Sequence, residues 1–151
     1  MKKRFKTISA VMLMLIRENN NKEEILLQKR QNTGYCDGYY DFSCSGHVEE
    51  NETMTDAVCR EAKEELNIEI SPDDLEFICL IHKKSNNEIY NNIYFKITKW
   101  NGHPIINEPN KNEELKWFYI NDLPNNLIND RIQAINNYQN KIKYSEYGWE
   151  K

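Results

Sequence analysis

Residues 46–70 carry eight acidic side chains (Glu49, Glu50, Glu52, Asp56, Glu61, Glu64, Glu65, Glu69) against two basic ones, Arg60 and Lys63, a local net charge of −6. The whole chain has a formal net charge of only −4, so the remaining residues are slightly basic. The acidic segment also has the strongest local pattern. Thr53 can cap a helix, with Asp56 three positions on to return a hydrogen bond to the cap. Met54, Val58, Ala62 and Leu66 step by four residues and form one apolar stripe. Asn67 stands where a left-handed C-cap is expected. The spacing predicts a helix over 53–66 that buries one face and leaves its acids on the others.

Its packing partners read as strands. Ile8–Ile16 is a β-like apolar run ended by the turn cluster 18–22, and Glu24–Gln28 resumes as a second strand, so 5–31 reads as a hairpin. Residues 32–41 form a Gly- and Tyr-bearing loop, and a strand over Tyr40–Ser45 delivers the chain to Gly46. Leu75–Lys83 and Glu88–Thr98 pair around Ser85-Asn86-Asn87, Asn101-Gly102 marks another turn, and Leu115–Ile120 is a further strand. Leu127, Ile128, Ile132, Ile135 and Tyr138 give a second helix over 125–140. Strands, helix, strands and helix without regular alternation point to a mixed α/β (α+β) sandwich, one domain over 1–151. A chain of 151 residues buries a core without disulfide staples.

Composition excludes several roles. With 39% hydrophobic residues and nine Tyr, five Phe and three Trp, the chain is not a disordered one. A net negative charge argues against coating a nucleic acid polymer or an anionic membrane. No run approaches ~18 apolar residues, and the basic start Met1–Lys6 leads into no cleavable apolar block, so a cytoplasmic protein is expected. Cys36, Cys44, Cys59 and Cys79 lie far apart and read as free thiols. Together with His47, His82 and His103 they offer no close ligand spacing for zinc.

Glu61, Glu64 and Glu65 stand at i, i+3 and i+4, on neighbouring positions of one helix face. Three such carboxylates repel, and a hard divalent cation offsets that best. Mg²⁺ held this way shares its remaining positions with phosphate oxygens, so the cluster points to a phosphate-bearing substrate. The plainer alternative is a solvated glutamate-rich face. The context weighs against it: Gly46, five residues, Glu52, seven residues, Arg60-Glu61-Ala62, Glu64-Glu65 and Ile68.

That spacing resembles the G-x5-E-x7-R-E-U-x-E-E-x-G-U box of the Nudix hydrolases, where U is apolar. Two positions depart: Asn67 stands in place of the box glycine, and Cys44-Ser45 precedes Gly46 where many members carry Pro-Gly. The resemblance implies an α/β/α sandwich with a mixed central sheet. It implies hydrolysis of a nucleoside diphosphate linked to another group, in the manner of MutT-like nucleoside triphosphate pyrophosphohydrolases. Glu61, Glu64 and Glu65 would bind Mg²⁺ or Mn²⁺ with the Ser45 carbonyl, and Glu113, among the later acids Glu108, Glu113 and Glu114, would add a ligand. Arg60 and Glu52 would form an ion pair bracing the helix against the preceding loop, although Arg60 could also pair locally with Glu64. Gly46, Arg30 and Trp117 are the candidate substrate contacts. Gly46 lets the loop backbone approach closely, and Lys29-Arg30 could reach phosphates or be a solvated strand end. Trp117, like Tyr35, Tyr39, Phe42 and Tyr94, could stack on a base, although core packing or surface cover is the better single reading for each ring.

Sequence marks of NADH, ADP-ribose and dinucleoside polyphosphate subfamilies are missing, which favours a small or modified nucleoside triphosphate. The expected partner is that small nucleotide, and the expected assembly a monomer or homodimer. A non-catalytic nucleotide-sensing module, and a hydrolase of ADP-ribose or nucleotide sugars, are the alternatives. An intact acid set speaks against the sensor. An isomerase-type relative is a weaker option, favoured only by the Gly46-His47-Val48-Glu49 start.

Overall fold

The computed structural model describes residues 2–150, so Met1, at the head of the basic start, and Lys151 lie outside it. One mixed sheet is built from β1 (Ile8–Asn19), β2 (Lys22–Arg30), β3 (Tyr40–Phe42), β4 (Cys44–His47), β5 (Glu76–Ser85), β6 (Glu88–Ile97), β7 (Asn112–Tyr119) and β8 (Tyr144–Tyr147). Helix α1 (Met54–Leu66) covers one face and α2 (Asn129–Asn140) the other, giving an α/β/α sandwich. β1 runs parallel to β6 and β5 parallel to β8, while the other pairings are antiparallel.

The unbroken apolar run of β1 follows from this layering. Met12, Met14 and Ile16 pack towards Ala134 and Ile135 of α2. Val11, Leu13 and Leu15 pack towards Ala57, Val58, Ala62 and Leu66 of α1. A strand covered on both faces has no solvent side to mark with polar residues.

The predicted hairpin exists only at its tip. Asn20 and Asn21 both take positive φ (55° and 62°), which suits a two-residue turn, and β1 pairs with β2 over residues 16–19 and 22–25. The strands then diverge. β1 takes β4 as its antiparallel neighbour and β2 takes β3, so the strand predicted over Tyr40–Ser45 is split at Ser43 between two partners. This split sends β4 along β1 and carries Gly46 beneath α1.

The second helix starts later than its apolar spacing predicts. Tyr40 N–H donates to the Asn126 carbonyl and Ile128 N–H to the Tyr40 carbonyl, which holds 126–128 extended along β3. Met54 and Ile132, both assigned to apolar stripes, are exposed. On α1 the buried face is instead Ala57, Val58, Ala62 and Leu66. The carboxy-terminal segment adds β8, which the sequence reading missed. Trp149 stacks near His82 and its Nε1 donates to the His82 carbonyl at 2.9 Å, and Tyr147 packs on the α2-side core. Tyr144 of the same segment is exposed.

Asn67 does take the left-handed cap, with φ 54° and ψ 39°, and its N–H reaches the Ala62 and Lys63 carbonyls. Asn67→Ala is therefore expected to cost about 1 kcal/mol, read as a lower midpoint in chemical denaturation with activity retained.

Candidate active site

The site starts with the way α1 is seated. Asp56 N–H donates to Thr53 Oγ1 at 3.0 Å and Thr53 N–H to Asp56 Oδ2 at 3.1 Å, closing the capping box. Ala57 and Ala62, fully buried, bring the helix close to the sheet. At that distance the Glu61 and Glu65 side chains meet the backbone of β4. Ser45 N–H donates to Glu65 Oε2 at 2.8 Å. A Cβ on Gly46 would collide with the Glu61 carboxyl group, so only glycine leaves that group its place. Gly46→Ala is expected to lower kcat about a hundredfold by displacing Glu61, with the thermal midpoint little changed, because the far end of a side chain can give way.

Arg60 ties the loop to the helix. Its Nε and Nη2 donate to the two oxygens of Glu52 at 3.1 and 2.8 Å, and Nη2 also reaches the His47 carbonyl at 3.1 Å. Nη1 donates to Glu61 Oε1 at 2.7 Å and to Glu64 Oε2 at 3.3 Å. The long-range pair with Glu52 and the local pair with Glu64 thus coexist on one guanidinium. These hydrogen bonds hold Arg60 well above its ordinary range, Glu52 contributing most, and the Arg60 hydrogen bond draws the Glu52 carboxyl down.

The two inner acids behave differently. Burial pushes Glu65 up to about 9, helped by Glu61, Glu108 and Asp41 and opposed by the Ser45 N–H. Burial also raises Glu61, with Arg60 opposing and Glu64 and Glu108 adding to it. The site therefore holds more negative charge than its own cation neutralises.

Among the described residues no three acidic, imidazole or thiol groups converge on one point, because Arg60 holds Glu61 and Glu64 while Ser45 N–H holds Glu65. The donor set nevertheless fits a hard divalent cation. It offers only carboxylate and backbone oxygens, its inner acids are destabilised as anions, and Gly46 leaves the backbone open beside them.

The later acid is placed differently from the expectation. Asn107 caps the end of α1, its N–H donating to the Glu65 carbonyl at 3.1 Å and its Nδ2 to the Glu64 carbonyl at 2.8 Å. This brings the next residue, Glu108, close enough for its charge to raise both Glu61 and Glu65. Glu113 instead is the second residue of β7 and pairs with Lys29 at 3.2 Å, beside the register shift at Lys29/Arg30, and Glu114 accepts from the Tyr40 hydroxyl.

Two expected substrate contacts are also engaged elsewhere. Trp117 lies between the Arg17 guanidinium, 4.1 Å from its ring, and Trp100, 6.0 Å away and stacked, in the α1-side core. Arg30 donates to the Tyr35 carbonyl at 2.8 Å and pairs with Asp41 at 3.3 Å. Phe42 and Tyr94 are fully buried and pack edge to face, whereas Tyr35 and Tyr39 are exposed.

A cavity of about 280 Å³ opens on the α2 side of β4, lined among others by Met12, Tyr35, Gly46, Lys83, Tyr90 and Arg131. Gly46 thus faces Glu61 and the cavity at once. Behind the cavity lies a charge network missed by reading α2 as an apolar stripe. Arg131 Nε donates to Asp41 Oδ1 at 2.7 Å, Arg131 Nη1 to the Tyr94 hydroxyl at 3.0 Å, and Lys83 Nζ to Asp130 Oδ2 at 2.8 Å. Burial works against the Asp130 charge, yet Arg131 and Lys83 hold its carboxyl below the ordinary range. The adjacent charges Asp130-Arg131 within an apolar spacing were the available signal.

Residues 6–138 match the family model described as NUDIX domain. A search of curated proteins finds no match. Among solved structures, a MutT NUDIX hydrolase from Burkholderia pseudomallei is 26% identical with a TM-score of 0.77, over 88% of this chain and 98% of that one. A MutT from work on Aliivibrio salmonicida and Vibrio cholerae is 25% identical with a TM-score of 0.66, over 87% and 98%. The NUDIX domain of Shewanella oneidensis NrtR, complexed with ADP ribose, shares the fold at 17% identity and a TM-score of 0.72, over 93% and 91%. With the box acids, Arg60 and Gly46 gathered on α1 and its preceding loop, and the family model spanning nearly all of the fold, the chain belongs to the NUDIX family as a MutT-like Nudix pyrophosphohydrolase.

Proposed function

We propose that this enzyme is a divalent-cation-dependent hydrolase that cleaves a small or modified nucleoside triphosphate to nucleoside monophosphate and pyrophosphate. The observation that carries this reading is the position of Gly46. One side of it packs on the Glu61 carboxyl group and the other lines the cavity, so a ligand in the cavity lies next to the acids.

Glu61, Glu64 and Glu65 would hold Mg²⁺ or Mn²⁺ together with the Ser45 carbonyl, with Glu108 adding negative charge beside them. Such a cation supplies neutralisation of the phosphate oxygens and acidifies a water molecule. The chain's own residues do the rest. Arg60 ties Glu61 to the 47–52 loop and so keeps the helix and the loop that follows Gly46 in register. Glu64, the most exposed of the three, is the carboxylate open to take the proton of the attacking water. Four free thiols support action in a reducing cytoplasm. Among the described residues no helix is long and apolar enough to cross a membrane.

The test is a panel of nucleoside triphosphates, ADP-ribose and nucleotide sugars with Mg²⁺ or Mn²⁺, reading monophosphate, pyrophosphate and phosphate separately. Pyrophosphate and monophosphate released from a triphosphate, and abolished by EDTA, are expected. Cleavage of ADP-ribose ahead of every triphosphate would overturn the substrate class but not the chemistry. No cleavage at all, with Glu64→Gln matching wild type, would overturn both.

A further inference from the structure

We infer that Asn92 is the specificity-determining residue of this site, its amide reading the donor–acceptor edge of an uncharged nucleobase seated in the cavity. The inference rests on the nucleotide-hydrolase reading above and adds to it which part of the substrate enters the cavity and what recognises it.

Size and charge define the occupant. At about 280 Å³ the cavity lies near the lower bound, roughly 300 Å³, of small-molecule sites, which suits a base with part of its sugar. Two cations reach its wall, but both are already neutralised. Lys83 pairs with Asp130 at 2.8 Å and Arg131 with Asp41 at 2.7 Å, and both carboxylates are 2% exposed. A wall whose two lining cations each have a buried carboxylate partner offers an anion no free cation. The polyphosphate belongs on the other side of Gly46, beside the acids, and the neutral end of the nucleotide in the cavity.

Asn92 is the group left to recognise that end. It sits on the central strand β6, between Ala10 of β1 and Ile81 of β5, so its backbone is held on both sides. The residue is 4% exposed and lines the cavity, yet its side-chain amide has no hydrogen-bond partner among the described residues. The amide opens on the cavity rather than on the closed core, so a ligand supplying both a donor and an acceptor can pair with it there. Tyr90, two residues earlier, lines the same cavity on the same side of the strand, and Tyr35 lines it from the 31–39 loop. Between them they offer ring faces to a planar base.

Two measurements on the full chain test this. In steady-state hydrolysis of ATP, GTP, CTP and UTP, Asn92→Leu is expected to lower kcat/KM for the best base about tenfold to a hundredfold, mainly through KM. It should also compress the ranking of the four. Purine riboside triphosphate, which lacks the exocyclic edge group, should be discriminated against by wild type and not by the variant. If wild type hydrolyses nucleotides and Asn92→Leu preserves their ranking, the inference fails while the functional reading stands. The second measurement needs neither hydrolysis nor a variant. The Asn92 side-chain amide resonances of wild type should shift on titration with a free nucleoside, without cation or phosphate. No shift with any of the four nucleosides overturns the inference, whatever the hydrolysis panel shows.

Discussion

Glu65→Gln is expected to cost the enzyme at least two orders of magnitude in kcat with a smaller change in KM, and yet to stabilise the cation-free protein. Both effects come from the same burial. The Glu65 carboxyl is pushed up to about 9 from an ordinary 4.5, so the fold prefers it neutral. Below pH ~4.5 the folded and unfolded chains both hold the proton and nothing is lost. As pH rises from there towards 9 the unfolded chain ionises first, and the folded state loses stability progressively. Glutamine stays neutral throughout. In EDTA the variant should therefore melt close to wild type at pH 4.5–5 and higher at pH 8, by on the order of 3 kcal/mol or ~5–10 °C. Added Mg²⁺ should raise wild type more than the variant, because a cation binds the folded anion. Activity within tenfold of wild type, or an equal melting difference at both pH values, would contradict this account.

The largest loss of stability is expected from the network behind the cavity. Asp41, buried, accepts from Arg131 at 2.7 Å, from Arg30 at 3.3 Å and from the Phe42 N–H at 2.7 Å. Burial opposes the Arg131 charge, and Asp41, Tyr94 and Asp130 more than offset it. Asp41→Ala removes the closest partner and leaves Asp130, 3.4 Å away, already shared with Lys83. Breaking a buried pair from one side costs about 3–5 kcal/mol, which in a chain of this size lowers the melting temperature by roughly 10 °C. Asp41→Leu combined with Arg131→Met should recover much of that loss, since the uncompensated charge goes with its partner. If the double replacement is no more stable than Asp41→Ala, packing rather than charge holds this region together.

These two sites differ in how far the sequence disclosed them. The acids of α1 are local: capping pair, apolar spacing and glutamate spacing all lie within one helix, so reading them needed no knowledge of the sheet. The Arg60–Glu52 pair spans eight residues and came only from the box resemblance, beside the local pairing with Glu64. Glu108 was harder, because Asn107 places it by capping a helix some forty residues earlier in the chain. The network of Asp41, Lys83, Asp130 and Arg131 joins a short strand, a long strand and a helix, and no local pattern connects them. Periodicity even pointed the wrong way there, since α2 buries Asp130, Arg131 and Asn137 and leaves Ile132 outside. Trp117, which the sequence left between base stacking and core packing, is core, held between Arg17 and Trp100.

The pairing of β1 with β6 has a consequence for biogenesis. Residues 8–15 find their parallel neighbour only in residues 90–97, so a growing chain must release more than half its length before the centre of the sheet can close. Until then Ile8–Ile16 lacks its β6 neighbour and the α2 cover of one apolar face, and such stretches are the ones that associate between chains. The long reach also raises the mean sequence separation of native contacts, which slows folding relative to a helical protein of equal size. The sheet layout that places Gly46 between acids and cavity thus makes the newly made chain dependent on its second half.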